Sequence, residues 1–265
     1  LEQAMEALCR RAAQAIKGGV AVLILSDRGI NQKLAAIPAL LATAGVHHHL
    51  IRKGLRNQCG LIIETGEARE VHHHCCLIGY GAGAVNPYLV FETLPEMIAD
   101  GELGDIALPA AVKNYIKAAG SGILKVMSKM GISTLQSYRG AQIFECVGLN
   151  QSLVEPYFTG TPSRISGADI HLVADEIRMR HQKAFPSLQV PAGSLLESGG
   201  KYKWRRDGEA HQYNPMSIAK LQQAVRSGDQ SAWHAFSDIV NEQNRREGLI
   251  RGLFEFKAPV SPVPL

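Results

Sequence analysis

Histidine and cysteine side chains are concentrated in two short stretches of this 265-residue chain, and both could supply metal ligands. The stretches are His47-His48-His49 and the run HHHCC at 72–76. Successive helical residues point about 100° apart, so three adjacent histidines cannot all bind one metal ion. Two pairs four residues apart can share one, namely His72 with Cys76 and Glu70 with His74. A zinc site needs three or four converging ligands, so one spaced pair is a weak signal. We expect histidines that pack helices together, and no metal.

Polar side chains follow the first two apolar runs of strand length. Asp27 and Arg28 come directly after the first run, and Glu64 ends the second. Enzymes built from parallel strands gather catalytic groups at such strand ends, but the charges can equally pair with one another. An ion-pair network is the favoured interpretation. The alternative function is an independent α/β enzyme, which could depend on zinc, using four side chains: Asp27, Glu64, Arg69 and His72.

Two further segments have the composition of ligand-binding loops. The glycines of 79–83 follow a predicted helix and precede a strand, which is the reverse of the order in a dinucleotide fold, so a turn at a helix C-terminus is expected. The segment 159–167, TGTPSRISG, offers hydroxyls, amides and Arg164. It could hold an anion or order a domain contact, and the second is favoured.

Composition excludes several classes of protein. Apolar residues make up 46% and charged residues 20% of the chain, enough for a sizeable core. The net charge of +4 is scattered, and no apolar run reaches membrane-spanning length, so neither nucleic acid nor membrane is expected as a partner. Five irregularly spaced cysteines indicate free thiols in a reducing compartment rather than a disulfide framework.

The first 150 residues alternate between helical and extended patterns. Repeated β-α units predict right-handed crossovers and a parallel sheet, open or barrel-like. The first strand is apolar throughout, so we expect it to be buried on both faces. Helices are predicted at 1–17, 37–55, 67–79 and 109–130, and strands at 20–25, 61–64, 84–86 and 132–135.

The second half is mostly helical in pattern. Gly131 is predicted to end the helix at 109–130. After the strand at 132–135, Ser137 is predicted to cap a helix that runs from Arg139 toward Val147. Further helices are expected at 168–184, 216–226 and 230–246, the last two separated by Gly228-Asp229. The segment 185–215 is predicted to be irregular, and the tail, with three prolines in its last seven residues, to be an extended linker.

Several collinear strings resemble the central domain of the glutamate synthase large chain. They extend over nearly the whole sequence and are far more specific than any single motif. The strings are LILSDRG (23–29), IPALLATAGVHHHLIRKGLR (37–56), ETGEAREVHH (64–73), GYGAGAVNPYL (79–89), ILKVMSKMGISTLQSYRGAQIFE (123–145), YFTGTPSRI (157–165), GEAHQYNP (208–215) and LIRGLFEFK (249–257).

The resemblance implies an α/β fold in which parallel β-α units form an incomplete, rudimentary TIM-barrel-like domain with a helical C-terminal part. Residues 1–257 would be the central domain, without its N-terminal edge. Residues 258–265 would be a proline-rich linker toward an absent FMN-binding barrel. We therefore expect the chain to be a segment of a longer polypeptide.

The resemblance also implies a role. Glutamate synthase converts glutamine and 2-oxoglutarate to two glutamates, and this segment would join the glutaminase and FMN domains and help frame the ammonia tunnel. FMN, an iron–sulfur cluster and a ferredoxin or small electron-supplying subunit would serve the parent enzyme. No catalytic, cofactor-binding or metal residue is expected in the segment itself. The expected location is the cytoplasm or, in a photosynthetic eukaryote, the plastid stroma.

Overall fold

A computed structural model of the chain describes residues 1–186, 199–254 and 257. The chain divides into two compact units, 1–189 and 190–265. The predicted linker 258–265 lies outside the described residues, as does part of the predicted irregular segment 185–215. In the described part, no helix is long and apolar enough to cross a membrane.

The first unit is of the α/β class, as predicted. A short 3₁₀ turn, Arg56–Gln58, precedes the second strand. The helices are α1 (Glu2–Lys17), α2 (Ala39–Arg52), α3 (Val71–Gly79), α4 (Tyr88–Ala99), α5 (Leu108–Met130), α6 (Leu135–Tyr138), α7 (Gln151–Tyr157) and α8 (Ile170–Ala184). The strands are β1 (Val22–Ser26), β2 (Gly60–Glu64), β3 (Ala84–Asn86), β4 (Cys146–Leu149) and β5 (Ser163–Ala168).

The first three strands form a parallel sheet in the order β1-β2-β3. Leu23 lies opposite Leu61, and Leu25 lies opposite Ile63. Because side chains alternate between the two faces of a strand, these four residues share one face. They form the main core there with residues of α1, α2 and α3, including Cys9, Ala12, Ile16, Val46, Leu50 and Leu77.

The opposite face of β1 is open. Val22 and Ile24 are 51% and 62% exposed, so the prediction that the first strand is buried on both faces is wrong. The physical reason is that α1, α2 and α3 all contribute to the core on the Leu23 face. An apolar run establishes that both faces of a strand could be buried, but it does not establish that both have a covering layer.

A second core lies where α1, α2 and α7 meet. Met5 and Val154 are fully buried in the first unit, and Gly45 lies in the middle of α2. A Cβ atom at Gly45 would collide with the Met5 side chain and crowd Tyr157, so glycine allows α1 and α7 to approach α2 closely. Beside this core, β4 and β5 pair in parallel as a separate two-stranded sheet.

The segment after α5 differs from its prediction. Gly131, with a φ of +71°, ends α5 as expected. No strand follows at 132–135; instead the single turn of α6 begins at Leu135, and its cap is Thr134, whose hydroxyl oxygen accepts from the Ser137 N–H. The predicted helix after Arg139 is also wrong, because residues 139–145 are irregular and lead into β4.

Burial of Tyr138 explains this outcome. The Tyr138 side chain is fully buried in a small core with Cys75 of α3 and Met127 of α5. A β-branched run forms a strand only where a neighbouring strand can pair with it, whereas the buried ring holds α6 against both helices. Tertiary packing therefore overrides the local strand propensity of residues 132–134.

The N-terminus of α3 also differs from its prediction. The helix begins at Val71, four residues after the predicted start at Glu67. Glu70 and His73 form a capping box. The Glu70 side chain accepts from the His73 backbone N–H, and the His73 side chain accepts from the Glu70 backbone N–H. Glu67 is used elsewhere, since its carboxylate accepts from the Ala39 N–H at 2.7 Å and caps α2.

The second unit contains a helical hairpin of α9 (Pro215–Ser227) and α10 (Gln230–Gln243). Gly228, with a φ of +66°, ends α9, and Asp229 caps α10, so the Gly-Asp pair separates the two helices as predicted. A π-helical turn, Asn244–Gly248, and a 3₁₀ turn, Ile250–Leu253, follow. Both tryptophans of the chain, Trp204 and Trp233, belong to this unit.

Truncating a side chain should reduce stability much more on the covered face of the sheet than on the open face. Leu61→Ala removes a fully buried side chain and should lower the free energy of unfolding of the first unit by about 2–5 kcal/mol. Ile24→Ala removes an exposed side chain from the open face of β1 and should lower this free energy by less than about 0.5 kcal/mol. Urea denaturation followed by far-UV circular dichroism measures both. Equal losses would contradict the assignment of the two faces.

Candidate functional site

The carboxyl ends of β1 and β2 bring Asp27 next to the loop after β2. The Asp27 carboxylate accepts from the Thr65 hydroxyl at 2.6 Å and from the Gly66 N–H at 3.1 Å. The Thr65 hydroxyl oxygen in turn accepts from the Glu67 N–H. Asp27 therefore fixes the turn that leads from β2 toward α3, because a charged acceptor holds two donors of that loop.

A second carboxylate, that of Glu64, lies at the same carboxyl-terminal edge of the sheet. It accepts from the Ser26 hydroxyl at 2.5 Å, from Arg28 Nε at 2.9 Å and from the Asn86 amide at 3.2 Å. Arg28 also donates to Glu92 at 2.7 Å. One guanidinium thus connects β1, β2 and α4, and the three parallel strands are tied together at their carboxyl ends.

The electrostatics of this network are those of a structural clamp. The hydrogen bond from Ser26, followed by the bond from Arg28, holds the pKa of Glu64 below its ordinary value. Burial, together with the neighbouring Asp27 carboxylate, raises the pKa of Tyr88 to about 12. The geometry agrees with the ion-pair interpretation of these strand ends.

Arg69 and His72, the other two residues of the alternative enzyme, make their bonds elsewhere. The Arg69 guanidinium donates to the Glu67 carbonyl at 3.3 Å. His72 Nε2 and Cys76 Sγ lie 3.5 Å apart on one face of α3. In residues 1–186 and 199–254, no group of three or more histidine, cysteine, aspartate or glutamate side chains is placed to hold a metal ion.

The remaining histidine of α3 serves the packing of α5. His74 Nε2 lies 2.9 Å from the Tyr115 hydroxyl, which donates to the Arg69 carbonyl at 3.2 Å. With that donation fixed, His74 donates its Nε2–H to Tyr115. Burial lowers the pKa of His74, so the neutral imidazole that this arrangement needs is also the stable form.

The first histidine triplet leads to a cavity that its sequence pattern does not reveal. His47 Nδ1 accepts from Arg56 Nε at 2.9 Å. The same guanidinium donates to the Cys59 carbonyl at 2.8 Å and the Gly81 carbonyl at 2.7 Å, next to the starts of β2 and β3. A cavity of about 430 Å³ opens beside it, lined by His47, Ile51, Gly54, Arg56, Asn57, Arg139 and Gly140.

Gly81 explains the glycine-rich segment 79–83. Its φ is +110°, and a Cβ atom there would collide with the His47 ring. The Gly81 N–H donates to the Ile78 carbonyl as α3 ends, which agrees with the predicted C-terminal turn. The glycine thus lets the chain pass under His47 and present its carbonyl to Arg56.

The loop 159–167 is partly a strand, because 163–168 forms β5. Thr161 is buried, and its hydroxyl lies 2.6 Å from that of Tyr80. Arg52 of α2 donates to the Pro156 carbonyl at 3.0 Å. Arg164 pairs at 3.5 Å with Glu145, both at the surface. The segment therefore orders contacts within the first unit.

Comparison with known proteins shows one consistent similarity. Residues 1–150 match the family described as the glutamate synthase central domain. The chain is 45% identical over 265 residues to the glutamate synthase [NADPH] large chain of Bacillus subtilis, covering all of this chain and 17% of the relative. It is 42% identical over 272 residues to glutamate synthase [NADH] of Saccharomyces cerevisiae, covering 98% of this chain and 12% of the relative.

A third relative is named for a different electron donor, ferredoxin. Ferredoxin-dependent glutamate synthase 1 of Arabidopsis thaliana is 38% identical over 276 residues, covering all of this chain and 17% of its own length. The chain therefore spans less than a fifth of the length of the relatives described.

The Asp27 contacts predict a loss of stability on substitution. Asp27→Ala leaves the Thr65 hydroxyl and Gly66 N–H without their charged acceptor and should lower the free energy of unfolding by about 2 kcal/mol. Asp27→Asn keeps one acceptor oxygen and should lose about half as much. Asp105→Ala, at an exposed position, is the matched control. Thermal denaturation followed by circular dichroism ranks the three variants. An Asp27→Ala protein as stable as the control would contradict the proposal that Asp27 fixes the turn after β2.

The pKa of His47 predicts a pH dependence of stability. Burial, with smaller contributions from Arg56, His48 and Arg139, lowers the pKa of His47 to about 4. Since the unfolded imidazole titrates near about 6.5, the unfolded state binds a proton that the folded state refuses, and stability falls as the pH drops from about 6.5 to about 4. The loss from this group is about 3 kcal/mol at most.

Replacing His47 tests this assignment. His47→Asn keeps an acceptor for Arg56 Nε and removes the titrating group, so the variant should lose less stability than the wild type over that pH range. His171→Asn, at an exposed position of α8, should retain the wild-type slope. Urea midpoints measured across the range decide between them, and identical slopes for wild type and His47→Asn would rule out His47 as the source.

Proposed function

This chain belongs to the glutamate synthase family, as its central domain, and from that premise we propose that it is a connecting segment of a glutamate synthase large chain. In this role it joins the glutaminase domain to the FMN domain and helps frame the ammonia tunnel between them. The reaction of the whole enzyme converts glutamine and 2-oxoglutarate to two glutamates. The chemistry lies in the flanking domains, and this segment contributes their relative placement.

The arrangement of the sheet supports a rudimentary barrel as its architecture. Consecutive strands are neighbours in the order β1-β2-β3, and α1, α2 and α3 pack on one face. A doubly wound sheet would have helices on both faces, whereas a barrel has them on the outer face only. The open face of Val22 and Ile24 corresponds to the inner face of a barrel that these three strands do not close.

The observation that carries the connecting role is the exposed apolar surface along β1. Val22 and Ile24 are exposed on the open face, and Leu34, in the loop after β1, is 60% exposed. Between this loop, α1 and the free edge of β1 lies a cavity of about 690 Å³. Contiguous apolar surface of this kind is typical of a contact with another domain.

Cofactors and partners follow from the same proposal. FMN and an iron–sulfur cluster are assigned to other domains of the parent enzyme, and electrons come from ferredoxin or a small electron-supplying subunit. The relatives include enzymes named for NADPH, for NADH and for ferredoxin, so the match favours no single donor. The proposed location is the cytoplasm or the plastid stroma.

A chimera tests the connecting role. This chain replaces the corresponding segment of the Bacillus subtilis large chain, to which it is 45% identical over its whole length. The chimera should make glutamate from glutamine within about tenfold of the parent rate, since a connector needs only to restore domain placement. The isolated chain should show neither turnover nor flavin absorbance.

Substitution of the open face sharpens the test. Ile24→Asp in the chimera places a charge in the domain contact and should lower glutamate formation by about tenfold or more, while glutamine hydrolysis continues. Met179→Asp, at a similarly exposed apolar position of α8, is the matched control. An Ile24→Asp chimera that couples both reactions normally would contradict the contact. Stoichiometric zinc in the isolated chain, lost in a His72→Ala, Cys76→Ala variant, would contradict the connecting role itself.

A further inference from the structure

The guanidinium of Arg56 is half-buried and bonded to neutral acceptors only. Its Nε, Nη1 and Nη2 atoms donate to His47 Nδ1, the Cys59 carbonyl and the Gly81 carbonyl. These three bonds use three of the five N–H groups of an arginine. The acceptors orient the side chain but supply only partial negative charge, and no carboxylate of the described residues pairs with Arg56.

A second arginine faces the same cavity. Arg139 follows α6, is exposed, and its side chain makes no hydrogen bond or ion pair with any described residue. It is close enough to Arg56 and His47 to disfavour the charged form of both. Two like charges therefore lie at one cavity.

The other lining groups favour a negatively charged occupant. Because His47 Nδ1 accepts from Arg56, its proton is on Nε2, and the neutral ring is a further donor. Of the residues that line the cavity, none is a carboxylate, and Asn57 adds a polar side chain. A half-buried cation without a full counter-charge is unfavourable, and a bound anion removes that cost.

The arginines at the two ends of the sheet differ in their partners. At the carboxyl ends of the strands, Arg28 is matched by Glu64 and Glu92. At the amino ends, Arg56 is held by Cys59 and Gly81, which lie just before β2 and β3, without such a partner. Arg28 is thus neutralised within the protein, whereas Arg56 and Arg139 have no acidic partner among the described residues.

We propose that the cavity between Arg56 and Arg139 binds a small oxyanion, namely a phosphate or a carboxylate group of a soluble ligand. Arginine donors arranged in a plane suit both groups, since each can accept two parallel N–H bonds. The free N–H groups of Arg56 donate to one side of the ligand, and the Arg139 guanidinium donates to the other side. This site goes beyond the connecting role and does not depend on it.

Isothermal titration calorimetry of the full 265-residue chain tests the site with two probes, inorganic phosphate and succinate, at constant ionic strength. Saturable binding of either probe is expected. Tighter binding of phosphate indicates a phosphate ester as the natural ligand, and tighter binding of succinate indicates a carboxylate. Absence of saturable binding by both would overturn the proposal.

Variants separate this cavity from general surface charge. Arg139→Gln, at an exposed side chain that holds no described contact, should weaken the tighter probe by about tenfold or more. Arg180→Gln, an exposed arginine of α8 with the same loss of charge, should leave the affinity within about twofold. Arg56→Lys keeps the charge but loses the planar donors and should also weaken binding. Equal affinities of wild type and Arg139→Gln would overturn the site.

Discussion

The parallel register of β1, β2 and β3 is the constraint on which the rest of the first unit depends. Placing Leu23 opposite Leu61 and Leu25 opposite Ile63 gives the helices a single apolar face to cover. The same register brings Ser26 opposite Glu64, so the polar residues after the strands meet at one edge. A slip of one residue would move the core to the open face and separate Glu64 from its donors.

The charged residues at the two ends of this sheet differ in whether they have partners of opposite charge. The carboxylates at the carboxyl ends are bonded to hydroxyls, amides and Arg28, which is the arrangement of a clamp. The arginines near the amino ends have no such acidic partners among the described residues. The carboxylates at the strand ends are thus engaged by neighbouring donors, with Asp27 bonded to Thr65 and Glu64 bonded to Ser26 and Arg28.

Sequence patterns predicted the order of the β-α units, the C-terminal turn at Gly131 and the paired charges at the strand ends. They failed where a distant side chain decides the local structure. The segment after Gly131 has strand propensity, yet the buried ring of Tyr138 selects a single helical turn. The cavity at Arg56 was also missed, because its members come from 47–57 and 139–140 and no spacing rule connects them. One signal was present at Gly81, where a φ of +110° and the close approach of the His47 ring both require glycine.

The position of the two tryptophans has a spectroscopic consequence. Trp204 and Trp233 both belong to the second unit, and Trp233 lies against Phe236 with ring centroids 5.6 Å apart. Intrinsic indole emission therefore reports on the second unit, while the first unit contributes tyrosine emission without tryptophan. Dichroism sees both units. The difference between the two optical signals during denaturation is thus a direct measure of whether the units unfold together or in turn, without any added label.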